Sequence, residues 1–84
     1  MGKIYVIVNS YTDYCGTAIA TDGGAFFNLD VAKVEFRNYI KDIWGEFLDE
    51  NTIEDCFETD MLWSYEDGDY NVSMIEIHEV EIKH

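Results

Sequence analysis

The sequence contains no proline, and it contains no lysine or arginine across the 41 residues from Asp42 to Ile82. Without proline, no segment has the composition of a rigid linker or a stalk. Without cations, the second half of the chain lacks the basic footprint that direct binding to nucleic acid or to an anionic membrane requires. The missing cations therefore argue against both as direct partners.

Cysteine is also scarce, since Cys15 and Cys56 are the only two. Small secreted domains usually carry more, because disulfides compensate for a thin core, so we expect a cytoplasmic location. The N-terminal apolar run, Ile4–Val8, has five residues. It is too short for the apolar region of a signal peptide or for a membrane span, so we expect no membrane partner.

Acidic residues are abundant and are distributed unevenly along the chain. Eighteen acids face five basic residues, and the net charge is −13. Fourteen of the acids fall between Asp42 and Ile82. The chain is nevertheless 48% hydrophobic and 15% aromatic, which is too apolar for a disordered polypeptide. At this length we expect residues 1–84 to form a single compact domain.

The residue pattern predicts four strands and one main helix. Apolar residues recur at steps of three and four between Leu29 and Leu48, and Asn28 or Asp30 is placed to cap the start of this helix. A short turn of helix is expected at Asn51–Asp55, from the capping signal of Thr52. The predicted strands are Ile4–Val8, Thr17–Thr21, Met61–Tyr65 and Tyr70–Ile82.

These elements predict an α+β fold in which an antiparallel sheet of ββαββ order carries the main helix on one face. A long polar loop, Ser10–Gly16, is expected between the first two strands, and Asp67-Gly68 is a hairpin turn signal. Along the last strand the apolar residues change phase, from even to odd and back to even positions. Either a β-bulge or burial on both faces explains such a change.

The acids of the predicted last hairpin and of the loop before it form the candidate partner-binding site. A solvated face that only confers solubility is the alternative, but solubility is normally served by charges of both signs. Unrelieved repulsion destabilises the compact state, so we expect a binding function to offset it. The site residues are Asp55, Glu58, Asp60, Glu66, Asp67 and Asp69.

Five aromatic residues are candidates for interface anchors that act together with the acids. For each one singly, a place in the thin core is the competing assignment. They are Tyr11, Tyr14, Trp63, Tyr65 and Tyr70.

No motif predicts catalysis, a cofactor or a metal. Asp67-Gly68-Asp69 lacks the register of a calcium-binding EF-hand loop. Cys15, Cys56, His78 and His84 lack the close pairwise spacing of zinc ligands. A nucleophile needs a base held by an acid, and no such arrangement is visible around the serines, the cysteines or His78. We therefore expect a protein that is not an enzyme and needs no cofactor.

In style, the chain resembles the small phage-encoded inhibitors of the anti-CRISPR type that mimic DNA, which are compact, acidic and rich in tyrosine. The Lys3–Val8 strand, the Tyr-Thr-Asp-Tyr sequence of Tyr11–Tyr14 and the closing Glu76–Ile82 are also similar to short phage and bacterial proteins. Anti-CRISPR proteins share no sequence signature, so no residue role carries over. The resemblance implies a CRISPR effector or host nuclease as target, in the cytoplasm of the host cell.

Two functional hypotheses follow from the sequence. In the first, the chain inhibits a basic nucleic-acid-binding protein by occupying its DNA or RNA site. In the second, it is a non-enzymatic interaction or assembly module that pairs through an exposed sheet edge, and its charge serves only solubility.

Overall fold

The computed structural model describes residues 2–45, 56–66 and 71–82. They form an α+β fold in which a six-stranded antiparallel sheet carries one helix, as the sequence predicts. The sheet has two short strands, β3 and β4, besides the four that the sequence predicts. The sequence does not predict them, because they are too short to show an alternating pattern. The elements are β1 Gly2–Asp13, β2 Gly16–Ala20, β3 Ala25–Phe26, α1 Leu29–Trp44, β4 Cys56–Glu58, β5 Leu62–Glu66 and β6 Val72–Ile82.

The two long strands, β1 and β6, form the centre of the sheet, whose order is β2-β1-β6-β5-β4. Strand β3 pairs with β1 on the same edge as β2. The pairing of β1 with β6 runs without interruption from Gly2 opposite Ile82 to Thr12 opposite Val72. Of the two explanations for the change of phase, the β-bulge is therefore wrong. The apolar residues of β6 change from even to odd positions because both faces of this strand carry apolar side chains.

Strands β1 and β2 form a tight hairpin rather than two strands joined by a long loop. The ladder continues to the pair of Asp13 with Gly16, so the prediction of a loop over Ser10–Gly16 is wrong. The Asp13 side chain accepts a hydrogen bond from the Cys15 backbone N–H at 2.8 Å. This bond, together with the positive φ of Gly16, 144°, accommodates the turn.

Helix α1 begins at the residue that the capping pattern indicates. The Asn28 side chain accepts a hydrogen bond from the Val31 backbone N–H at 3.1 Å, which satisfies one of the first free donors of the helix. The buried residues, Ala32, Phe36 and Ile40, recur at the expected spacing of four. The helix ends at Trp44 with Gly45 as its C-cap, and residues 46–48 of the predicted range, like Asn51–Asp55, lie outside the described residues.

The core lies between α1 and the odd-numbered side chains of the central strands. Ile7 and Ile75 are fully buried, and Trp63 is 1% exposed. Tyr39 anchors the helix to the sheet, because its hydroxyl accepts a hydrogen bond from the Asn9 side chain at 3.2 Å and donates one to Asp22 at 2.6 Å. Within the described ranges, no helix is long and apolar enough to cross a membrane.

The even-numbered side chains of β1, β5 and β6 point to the other face of the sheet, which we call the open face. None of its apolar residues belongs to the core cluster or packs against it. In residues 2–45, 56–66 and 71–82, no second layer covers this face. Its apolar residues, with Ile19 of β2 and Phe57 of β4, are Ile4, Val6, Val8, Ile19, Phe57, Leu62, Val72, Met74, Val80 and Ile82.

Candidate protein-interaction site

Four strands contribute residues to one end of the sheet, which we call the acidic end. Glu66 of β5 lies opposite Val72, and Val72 lies opposite Thr12 of β1. Thr12 in turn pairs with Thr17 of β2, and their hydroxyls are 3.0 Å apart. Adjacent strands lie about 4.8 Å apart, so this row spans about 14 Å. The turn that carries Tyr14 therefore projects beyond the same end of the sheet as Glu66.

The C-terminal end of α1 also lies at the acidic end. Trp44, in the last turn, packs its ring against Trp63 and Tyr65 of β5, with ring centroids 5.1 and 6.0 Å apart. Aromatic pairs of this kind contribute about 0.5–1.5 kcal/mol beyond the apolar area that they bury. A helix carries partial negative charge at its C-terminus. The helix therefore adds negative potential where the acid-rich segment after Gly45 begins.

Three of the predicted site residues, Asp55, Asp67 and Asp69, lie outside the described residues. The described residues that precede or follow them are neighbours on the sheet. Cys56, which follows Asp55, pairs with Tyr65, and Tyr65 precedes Glu66. Both acid-rich segments therefore connect to the described chain at the acidic end.

Glu58 and Asp60 lie at the opposite end of β5 from Glu66. Glu58 is opposite Trp63, and Asp60 belongs to the turn before β5. From this turn to Glu66 the strand runs about 14 Å, at about 3.4 Å for each residue. The structure therefore separates the three described site residues into two groups.

Asp60 forms an ion pair with a lysine of α1 and is not an unpaired surface carboxylate. The Lys33 ammonium lies 2.9 Å from its carboxylate, and hydrogen bonding to Lys33 keeps the pKa of Asp60 below its usual value. The turn itself is ordered by Thr59, whose hydroxyl accepts hydrogen bonds from the backbone N–H groups of Met61 and Leu62 at 3.2 and 3.0 Å. Part of the negative charge of Asp60 is thus neutralised within the molecule.

Two of the three acids of β6, Glu76 and Glu79, also have partners in the described part of the chain. Lys3 contacts Glu79 at 2.6 Å, and this hydrogen bond raises the pKa of Lys3. The Glu76 carboxylate lies 2.8 Å from the His78 ring nitrogen Nε2. Glu76 and Glu79 both lie on β6, but their parity places Glu76 on the open face and Glu79 on the helix side of the sheet.

The aromatic residues divide between core and surface. Trp63 is buried in the core and Tyr65 is half-buried against it, so both side chains pack within the protein. Tyr14 is 89% exposed and Tyr11 is 44% exposed, and both lie near the acidic end. Tyr70 lies outside the described residues. Tyr11 and Tyr14 therefore stay candidates for interface anchors at the acidic end, although Tyr11 is on the helix side of the sheet and Glu66 is on the open face.

Of the residues weighed for zinc binding, Cys15, Cys56 and His78 are far apart, and His84 lies outside the described residues. Cys15 follows Asp13 in the β1–β2 turn, whereas His78 lies opposite Val6. Seven residues of β1 separate those positions, which corresponds to about 24 Å. Cys56 lies on β4, at the other edge of the sheet from the β1–β2 turn. Over the described ranges, no three histidine, cysteine or acidic side chains are grouped to hold a metal ion.

Comparison with family models, with curated proteins and with solved structures gave no match to this chain.

Proposed function

We propose that this chain is a non-enzymatic acidic binding protein that inhibits a basic nucleic-acid-binding partner, such as a CRISPR effector or a host nuclease, by occupying its DNA or RNA site. The acidic end is the contact surface. The observation that carries the proposal is the position of Cys56 and Glu66, which connect to the two acid-rich segments at one end of the sheet.

Charge supplies the attraction in this proposal. The chain from Asp42 to Ile82 holds fourteen acids and no lysine or arginine. Two cations from the rest of the chain are paired elsewhere, Lys33 with Asp60 and Lys3 with Glu79. Lys3 lies about 30 Å along β1 from Thr12, and therefore from the acidic end. Lys41 lies in the last turn of α1, at the acidic end, but the acids outnumber it. The excess negative charge accelerates the association with a basic surface.

The spacing of charges on strands suits a groove that binds nucleic acid. Duplex DNA carries one negative charge per about 1.7 Å of its axis. Carboxylates two residues apart on a strand lie about 6.6 Å from each other, and neighbouring strands add charges about 4.8 Å away. At the acidic end, the described strand carboxylates are Asp13 and Glu66, and the acid-rich segments that connect there supply the further charges in this proposal.

The exposed tyrosines supply contacts that charge alone does not. Tyrosine is enriched among the residues that dominate binding energy, because its ring buries a large area and its hydroxyl still forms a hydrogen bond. Among the described residues, Tyr14 is the most exposed large apolar side chain at this end of the sheet. We expect Tyr14 to pack on the partner while the acids pair with its cations.

A second candidate function rests on the free edge of the sheet at β2. All five residues of Gly16–Ala20 are exposed, and this strand carries neither charge nor proline. Such an edge is open to pairing with a strand of another chain. In this reading the protein is an assembly module and its acidity serves solubility.

The test of the proposed function replaces Glu66, Asp67 and Asp69 with lysine. Surface changes of this kind alter stability by less than about 0.5 kcal/mol each. The matched control places three lysines away from the acidic end, at Asp30, Glu35 and Glu81, for the same change in net charge. Tagged wild-type protein and both variants are incubated with nuclease-treated bacterial extract, and the basic proteins retained on each are quantified.

We expect the wild type and the control variant to retain the same basic proteins, and the triple variant at the acidic end to lose them. Added duplex DNA or RNA should release the retained proteins from the wild type. The proposal fails if the triple variant retains them unchanged, or if a retained protein holds nucleic acid and this chain at the same time. The β2-edge reading predicts both of those outcomes.

A further inference from the structure

The open face is an apolar surface that no second layer covers among the described residues. Its central residues, such as Val6, Val8 and Met74, are half-buried. At its margins, Val80 is 45% exposed and Phe57 is 58% exposed. Uncovered apolar patches larger than a few hundred Å² mark interaction sites in soluble proteins.

The size of the open face matches that of a whole interface. Residues on one face of a strand are about 6.8 Å apart and strands are about 4.8 Å apart, so each residue covers about 33 Å². Nineteen paired residues lie on this face, and ten of them are the apolar residues named above. Together the nineteen cover about 600 Å² in projection, and their accessible area is larger because side chains corrugate the surface. A stable protein–protein interface buries about 800 Å² on each partner.

The shape of the open face suits another sheet. The ladder between β1 and β6 has no bulge along its eleven pairs, so the face is a regular pleated surface. Two such surfaces pack about 10 Å apart, with their strand directions within about 30° of each other. A second copy of this chain presents the same regular surface, which is the condition for a two-fold symmetric contact.

The acidic side chains of β5 and β6 lie off the open face, at its margin or in an ion pair, so they do not oppose a contact between two open faces. Glu79 and Glu81 of β6 have odd numbers and point to the helix side of the sheet. Glu76 is on the open face, but its carboxylate is bonded to His78 on the same face. Glu66 lies at the margin, at the acidic end. The basic partner proposed above is attracted to the acidic end, whereas the open face is mainly apolar.

We propose that the open face binds the open face of a second copy, so that the chain forms a two-fold symmetric dimer with a double-sheet core. This inference does not depend on the proposed function, since it concerns a different surface. It gives the open face the second layer that it lacks within the described residues.

Sedimentation equilibrium of the full chain, from about 1 to about 200 µM, tests the inference without any variant. We expect a mass of twice 9.8 kDa at the upper concentrations. Each copy carries a charge of −13, so raising the salt concentration should increase the dimer fraction by screening repulsion. A monomer over the whole range overturns the inference.

Two matched pairs of variants locate the contact. Val80→Lys places a charge on the open face, and Val34→Lys places the same charge on the outer side of α1, where the valine is 50% exposed. Phe57→Lys and Phe27→Lys form the second pair, with phenylalanines 58% and 78% exposed. Circular dichroism checks the folding of all four variants.

We expect each open-face variant to raise the dimer dissociation constant about tenfold or more, because a symmetric interface contains every substitution twice. Val34→Lys and Phe27→Lys should leave the constant within about twofold of wild type. A dimer that tolerates lysine at both Val80 and Phe57 forms through another surface, and this result overturns the inference.

Discussion

Replacing Gly23 with alanine tests the close packing between the β2–β3 connection and the core. A Cβ atom at residue 23 would lie 2.7 Å from Cγ2 and 2.9 Å from Cβ of Ile7, and 3.2 Å from Cδ1 of Tyr39. Ile7 is fully buried and its Cβ is fixed to the backbone of β1, so it cannot rotate away. The methyl group therefore forces the connection away from the sheet.

The expected magnitude follows from two opposing effects. Overpacking of a tight site costs about 1–3 kcal/mol, whereas replacing glycine restricts the unfolded chain and returns about 0.4–1 kcal/mol. The free energy of unfolding should therefore fall by about 1–2 kcal/mol. For a domain of this size, that loss lowers the melting temperature by about 5–15 °C.

Urea unfolding followed by tryptophan fluorescence measures the loss, because Trp44 and Trp63 lie in contact in the folded state. Gly2→Ala is the matched control, since its new Cβ would lie 3.7 Å from Ile82 in ordinary contact, and it should stay within about 0.5 kcal/mol of wild type. In an Ile7→Ala background, Gly23→Ala should cost less, because Cγ2 is gone. Wild-type stability of Gly23→Ala, or strict additivity with Ile7→Ala, would refute the reasoning.

Three further outcomes are expected. Asn28→Ala removes the hydrogen bond to the Val31 N–H and should lower the free energy of unfolding by about 1 kcal/mol in urea titrations, whereas Asn28→Asp should retain most of it. The pKa of Tyr39 is raised, first by burial and then by the hydrogen bond to Asp22. The protonated Tyr39 hydroxyl therefore stabilises the fold fully below about pH 10, and this stabilisation is lost as the pH rises through the folded-state pKa. Thermal melts of Tyr39→Phe should therefore show a smaller loss of stability between about pH 9 and 11 than wild type. Finally, the melting temperature should rise from dilute buffer to about 0.1 M salt, because screening relieves the repulsion among excess acids, and a steady fall would contradict this account.

Local signals explain why much of the fold is predictable. The helix is recognisable because Ala32, Phe36 and Ile40 recur at helical spacing and Asn28 precedes them as a cap. The long strands are recognisable from their β-branched residues. The extension of β1 to Asp13 was not recognisable, because Ser10–Asp13 is polar and its pairing depends on β2 and β6.

The candidate site was only partly predictable, because composition identifies acids but does not place them. Asp60 and Glu66 are close in sequence, yet β5 holds them at opposite ends and Lys33 pairs with the first. Conversely, Tyr14 and Glu66 are distant in sequence, and the register of β1 with β6 brings them to the same end. Such neighbours follow from strand pairing, which is a long-range property.

Amino-acid order alone sets the charge of the protein, the spacing of its helix face and the alternation of its strands, because these depend on residue identity and on local backbone geometry. Alternation defines two faces of a sheet without stating which one is covered. Tertiary packing decided that α1 covers the side of Ile7 and Ile75 and leaves Val6, Val8 and Met74 without a second layer among the described residues. The physical reason is that a helix covers only one face, and both faces here are apolar enough to receive it.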